Sequence, residues 1–309
     1  MYKKMDFHVH YLTKSYRDFL MEHYGPEPEH FKTPEWDVEK QLKVMEENGI
    51  EYALLGISSP YFCCMDTAKT IEAVRKNNDE IAEMLSGHEE KLGFLAALPL
   101  PDGDHSLKET ERALLKGAKG FSVNTHSDGI YLGNPALDPV MEEMNRQKSI
   151  VHIHPTQPAR IPEGVCDGFP IPAMEFFFDT TRTFVNMCLN HIFERYPDIR
   201  FIFSHAGALA PILSDRLDVF FKRYADDRPD LDFALKQAYF DLAGYVEPRQ
   251  LELVLEVASA DHLLYGSDFP HTGTMTVAKN AKALEDTKKL SKGQKEMIFF
   301  ENGKKMLWG

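Results

Sequence analysis

Residues 4–13, KMDFHVHYLT, place His8 and His10 two apart behind an apolar lead-in. In an extended strand successive side chains alternate between faces, so both imidazoles point the same way, into the interior near the strand's C-terminal end. Two neutral imidazoles converging in a buried place are costly without partners, and a divalent metal satisfies both at once. Hydrogen bonds between the rings or to water are the alternative this motif alone leaves open. Other strand-like runs also close on ligand-type residues: His154 before Pro155, His205 in SHAGA and Asp268 in YGSDFP. Imidazole nitrogens with one carboxylate oxygen suit Zn²⁺ with an open coordination position. Mn²⁺ is a credible substitute, because carboxylate and water suit it too. His152 shares a face with His154 one layer deeper and reads as a core or supporting histidine. His271 follows the last strand, where a loop histidine is more often solvated, and Asp241 in YFDLAG reads as a structural partner for a ligand histidine or an arginine.

The elements that must position these residues follow from hydrophobic periodicity. Eight short apolar runs recur, at 5–10, 52–57, 92–98, 118–123, 149–154, 199–205, 238–244 and 262–268. They are nearly continuous in apolar residues, as parallel strands covered on both faces are. Between them lie helical patterns such as 36–49, with Gly49 as its C-cap, 66–88, 106–117 and 135–148. Eight strands each followed by a helix predict a (β/α)8 TIM barrel, one domain over 1–309. Residues 11–35 and the proline-rich 155–175 break the alternation after strands one and five, and read as insertions walling a pocket at the C-terminal mouth. Phe176, Phe177 and Phe178 read as a helix start packing on the barrel rather than a stacking platform.

Thirty-five basic against 48 acidic residues give a net charge of -13, which disfavours nucleic acid and anionic membrane and points to a small-molecule partner. An anionic substrate would then need local positive charge from a metal or arginine. No signal peptide and no apolar run near about 18 residues is visible, so the expectation is a cytoplasmic protein. Cys63, Cys64, Cys166 and Cys188 fit no metal or redox spacing and read as free thiols.

With these residues in place the chain resembles the amidohydrolase superfamily, and within it the aminocarboxymuconate semialdehyde decarboxylase-like branch, amidohydrolase family 2. The resemblance runs nearly end to end through DFHVH, GNPALDPVMEEMNRQKSIVHIHP, RYPDIRFIFSHAGALAPILSDRL, LLYGSDFPH and KEMIFFENGKKML. It implies that His8, His10, His154 and Asp268 hold a single metal, with His205 as the catalytic histidine and Asp268 sharing proton transfer. Binuclear relatives use a carboxylated lysine on strand four. Here that strand end offers Ser122 and Asn124, with Lys119 at its start, which favours one metal. Arg216 falls where the decarboxylases reach across a homodimer interface to bind the substrate carboxylate. The segment EHFKTPEW departs from the pattern, offering Lys32 in place of a substrate arginine, and so charge without a planar bidentate fork. The resemblance implies a metal-dependent non-oxidative decarboxylase of a small aromatic or unsaturated carboxylate, the metal polarising the substrate or a bound water. The same ligand set equally serves a hydrolase of an amide, a lactone or a carbon–carbon bond that uses a metal-bound hydroxide. A non-catalytic barrel would lack the proton-transfer residue, and His205 stands in its expected context.

Overall fold

The computed structural model describes residues 2–62, 66–225 and 227–309. Its main strands are β1 (Lys4–His10), β2 (Ile50–Gly56), β3 (Leu92–Phe94), β4 (Phe121–Asn124), β5 (Ile150–His154), β6 (Arg200–Phe203), β7 (Tyr239–Asp241) and β8 (Leu263–Leu264). All pair in parallel, in a three-stranded run β1-β2-β3 and a five-stranded run β8-β7-β6-β5-β4. Two seams close them into a ring. An isolated bridge pairs Ala96 with Phe121. On the other side Phe7 N donates to Tyr265 O (2.9 Å), while Ser267 N and Asp268 N both donate to His8 O (3.1 and 2.8 Å). The result is the (β/α)8 barrel predicted from the alternation.

Most strands are shorter than their apolar runs. The 92–98 run is regular only to Phe94, and the 262–268 run only over Leu263–Leu264, because its tail peels away to bond β1 and ends with Asp268 at φ 59°. The helices begin and end where their caps dictate. Asp37, Asp66 and Asp102 accept N-terminal amides of Val38–Asn48, Thr67–Met84 and Gly103–Leu115, and Gly49 closes the first of these at φ 66°. The 11–35 stretch contains an unexpected helix, Lys14–Tyr24, capped by Thr13 and burying Tyr16, Phe19 and Leu20 at helical spacing. A small hairpin, His126–Ser127 with Ile130–Tyr131, follows β4 and was also unforeseen.

The packing inside the ring explains how β1 presents its histidines. Met5, Phe7, Tyr52, Leu54, Leu95, Ile150, Ile202 and Leu264 form one buried cluster with Met306 of the C-terminal helix. Residues from five strands, with Leu95 just past β3, can meet only in the barrel interior, so Met5 and Phe7 face inward. The β1–β2 register then shifts, Asp6 pairing with Ala53 but Val9 with Leu55. An extra residue therefore sits between them, and inward-facing parity switches from Met5 and Phe7 to His8 and His10. Apolar side chains fill the lower barrel and imidazoles the upper.

No helix among the described residues is long and apolar enough to cross a membrane. Cys166 is an exposed free thiol and Cys188 a buried one, while Cys63 and Cys64 lie outside the described residues.

Candidate metal centre and active site

The strand ends bring the predicted residues together. Nε2 of His8 and of His10 lie 3.5 and 3.4 Å from Asp268 Oδ1. The His154 ring stands 4.8 Å from His10 and 5.4 Å from His8, and His205 is 4.8 Å from His8. One ligand atom each from His8, His10 and Asp268, or from His8, His154 and His205, falls within 4.8 Å of the others, the spacing a shared cation requires. Geometry alone thus allows His205 to act either as a ligand or as a neighbour.

Hydrogen bonding selects which ring nitrogen faces the centre. His8 Nδ1 donates to Asp241 Oδ2 (2.9 Å), His10 Nδ1 to Gly56 O (3.3 Å), and His154 Nδ1 to Pro155 O (2.7 Å). Each partner can only accept, so the proton sits on Nδ1 and Nε2 keeps its lone pair for a cation. Nε2 of both His8 and His10 is buried with no partner among the described residues. An orphaned buried nitrogen is expensive, and two aimed at one carboxylate fit a divalent metal.

Asp241 organises the layer behind. Its Oδ2 accepts from His8 Nδ1 and from His152 Nε2 (3.1 Å), and its Oδ1 from His205 N (3.0 Å) and Ala243 N (3.1 Å). Burial opposes its ionisation, yet the surrounding imidazoles outweigh that and hold the carboxyl well below its usual range. Burial works against charge at His8, but Asp241 and Asp268 overcome it and raise the imidazole to about 10. Without a metal its Nε2 therefore takes a proton that a divalent cation would displace. His10, lowered to about 4 chiefly by burial, stays a neutral donor.

Backbone strain concentrates here as well. His205 and Asp268 adopt φ of 54° and 59°, a left-handed conformation uncommon for non-glycine residues and typical of functional sites. At Gly266 a Cβ would meet His8 Cβ at 2.7 Å, so only glycine lets the end of β8 lie against the histidine strand.

Above the centre opens a cavity of about 660 Å³. Leu12, Tyr16, Leu20, Pro28 and Phe31 of the first insertion and Pro170, Pro172 and Ala173 of the second line it, so both insertions contribute to the wall. His154, His205 and Asp268 form its floor, and no lysine or arginine lines it among the described residues. Lys32 is exposed and does not line its own chain's cavity. Arg216 is exposed on the helix Ala210–Tyr224, stacked 4.8 Å over Phe220, and does not line its own chain's cavity. His271 lines the cavity instead of being solvated, its ring 5.2 Å from His10. The three phenylalanines open the helix Glu175–Leu189, yet Phe177 stacks nearly parallel on His205 (6.0 Å, 11°), contrary to the packing-only expectation. Lys119 is exposed ahead of β4, whereas Asn124, beside His154 in register, has both amide atoms buried and unpartnered among the described residues. Glu29 in the wall carried no motif that would have singled it out.

A family model described as Amidohydrolase matches residues 5–307, and the chain belongs to that family. It is 29% identical to the decarboxylase yanB of Aspergillus niger, covering 91% of this chain and 81% of that protein. It is 27% identical to a 6-methylsalicylic acid decarboxylase of Penicillium expansum, with 91% and 89% covered. Among solved structures, one described as an amidohydrolase II superposes with a TM-score of 0.95 at 39% identity, covering 99% of this chain and all of that one. A dihydroxybenzoic acid decarboxylase of Polaromonas, solved with manganese and 2-nitroresorcinol bound, gives a TM-score of 0.84 at 20% identity, covering 99% and 97%.

Proposed function

We propose that this chain is a carboxy-lyase, a metal-dependent non-oxidative decarboxylase of small aromatic carboxylates. The observation that carries the reading is the set of inward imidazole nitrogens and the Asp268 carboxylate at the floor of an apolar cavity that no lysine or arginine lines among the described residues. The names of the curated relatives support the reaction class and an aromatic acid as substrate.

His8, His10, His154 and Asp268 would hold one divalent ion. When bound, that ion supplies Lewis-acid polarisation of substrate oxygens and offsets the negative charge that no side chain of the cavity wall meets. The donor set by itself suits zinc, as the sequence reading put first, and the manganese of the neighbour supports manganese equally. As the bond between ring carbon and carboxylate breaks, its electron pair stays on the ring and CO₂ departs. His205 delivers a proton to that carbon. Phe177 stacked on its ring and Ala243 O at 3.4 Å from Nδ1 hold the imidazole with Nε2 toward the cavity. Each turnover leaves His205 one proton short, and a proton taken up from solvent, relayed by Asp268 between His8 and His10, restores it.

A homodimer is part of the proposal. Ile212, Val219, Phe220 and Tyr224 leave an exposed apolar stripe along Ala210–Tyr224, with Arg216 inside it. Pairing two such stripes would bury them and carry Arg216 to the partner's substrate carboxylate.

The test joins metal analysis to CO₂ release on a panel of hydroxybenzoates, with His10→Ala alongside. About one zinc or manganese per chain, lost with activity in the variant, is expected. Hydrolysis of amides or lactones without CO₂ release would transfer the site to hydrolase chemistry. A monomer in sedimentation whose Arg216→Ala variant keeps its KM would remove the dimer part alone.

A further inference from the structure

One carboxylate in the cavity wall has no part in the reaction above. Glu29 lies in the first insertion, where it and His30 adopt φ of 55° and 58°, two successive non-glycine residues in the left-handed region. Polar groups hold the side chain there, all on one oxygen. Gln157 N donates to Oε1 at 2.7 Å, and the hydroxyls of Ser59 (2.7 Å) and Thr156 (3.2 Å), hydrogen-bonded to each other at 2.7 Å, meet the same oxygen. Ser59 follows β2, and Thr156 and Gln157 follow β5, so the carboxylate is tied to the barrel frame as well as to its own loop. Its hydrogen bonds among the described residues end at Oε1, and Glu29 lines the cavity, so Oε2 is the atom available to a ligand. Burial pushes the carboxyl up to about 7 against these donors, so above that pH it acts only as an acceptor.

Position and charge define what Oε2 can take. Thr156 stands two residues beyond His154, past the end of β5, and Glu29 lines the same cavity whose floor His154, His205 and Asp268 form. An anionic wall repels a second carboxylate there and accepts a charge-assisted hydrogen bond from a hydroxyl. We propose that Glu29 is a specificity-determining residue, accepting a ring hydroxyl meta or para to the leaving carboxylate and rejecting a second carboxylate at that position. The inference rests on the decarboxylase reading for the class of ligand, and binding tests it separately from turnover.

The experiment uses manganese-loaded protein at pH 8. Calorimetric binding and CO₂ release are measured for salicylate, for salicylates with one added hydroxyl meta or para to the carboxylate, and for the salicylate with a para carboxylate. The wild type is expected to bind one added-hydroxyl ligand about 10–100-fold more tightly than salicylate, the range for a hydrogen bond to a charged group. Glu29→Ala should bring that ratio to about 1 while leaving salicylate binding intact. Glu29→Gln, which can keep an acceptor in the Ser59 and Thr156 cradle, should reduce the ratio and admit the dicarboxylate; it decides the matter should the alanine variant not fold. A ratio unchanged in the variants, or equal loss for every ligand, overturns the proposal. Selective wild-type binding without CO₂ release would remove the decarboxylase reading and leave Glu29 its role, and no binding of any aromatic carboxylate would remove both.

Discussion

At the lower end of β1 the Lys4 ammonium, 1% exposed, donates to Tyr2 O (3.1 Å), Asn48 O (3.0 Å) and Glu285 Oε1 (2.7 Å). At its upper end His8 and His10 are as deeply buried, yet Nε2 of each has no partner among the described residues. Three donors meet three acceptors below, while above the protein leaves lone pairs unpaired at about 1–3 kcal/mol apiece. One strand thus separates two tasks. The lower face of the barrel holds the fold together, and the upper face is incomplete until something binds, the division that parallel barrels follow generally.

The comparison breaks most visibly if the upper end is emptied or blocked. Adding manganese to metal-free wild type should raise stability by about 2.7 kcal/mol at a hundred times its dissociation constant. His10→Ala should lose that thermal shift and all turnover; an equal shift in the variant would mean that the cation sits elsewhere. Next in size, His205→Asn should lower kcat by about 10²–10⁴-fold with metal content unchanged. Loss of the metal as well would make His205 a ligand. Asp241→Asn, which loosens the orientation of His8, should weaken metal binding about 10–100-fold, read by competition with a chelator.

At the lower end the readout should be stability alone. Glu285→Gln strips a buried ammonium of its charged partner and should cost about 3 kcal/mol in denaturant unfolding with kcat unchanged. Burial acts to raise the Glu285 carboxyl, but Lys4 outweighs it and the folded value lies below the usual one. The ion pair therefore contributes fully above the ordinary carboxylate range, and its contribution is lost as pH falls through the depressed value. Wild type should lose stability more steeply than Glu285→Gln on acidification. Smallest of all, Lys32→Ala should change stability by no more than about 0.5 kcal/mol and leave kcat/KM alone, since the side chain is exposed and off the cavity.

Much of this was legible in the chain itself. Spacing set His8 and His10 on one face, apolar runs placed the strands whose ends carry His154, His205 and Asp268, and Gly49 marked where a helix ends. These are local patterns, since side-chain alternation and capping depend on residues a few positions apart. The register shift in β1 is not local. It arises where β1 pairs with β2, and it lets apolar Met5 and Phe7 share the interior with His8 and His10, a parity that strict alternation from the histidines forbids. Phe177 over His205 and Lys32 turned to solvent depend likewise on where whole loops settle. Glu29 meets Thr156 across 127 residues of sequence. Local pattern was enough to pick out the residues able to bind a cation and the strands they ride on. Which ring nitrogens are left unpaired and which carboxylate stands in the wall follow from partners that only the closed barrel brings within hydrogen-bonding distance.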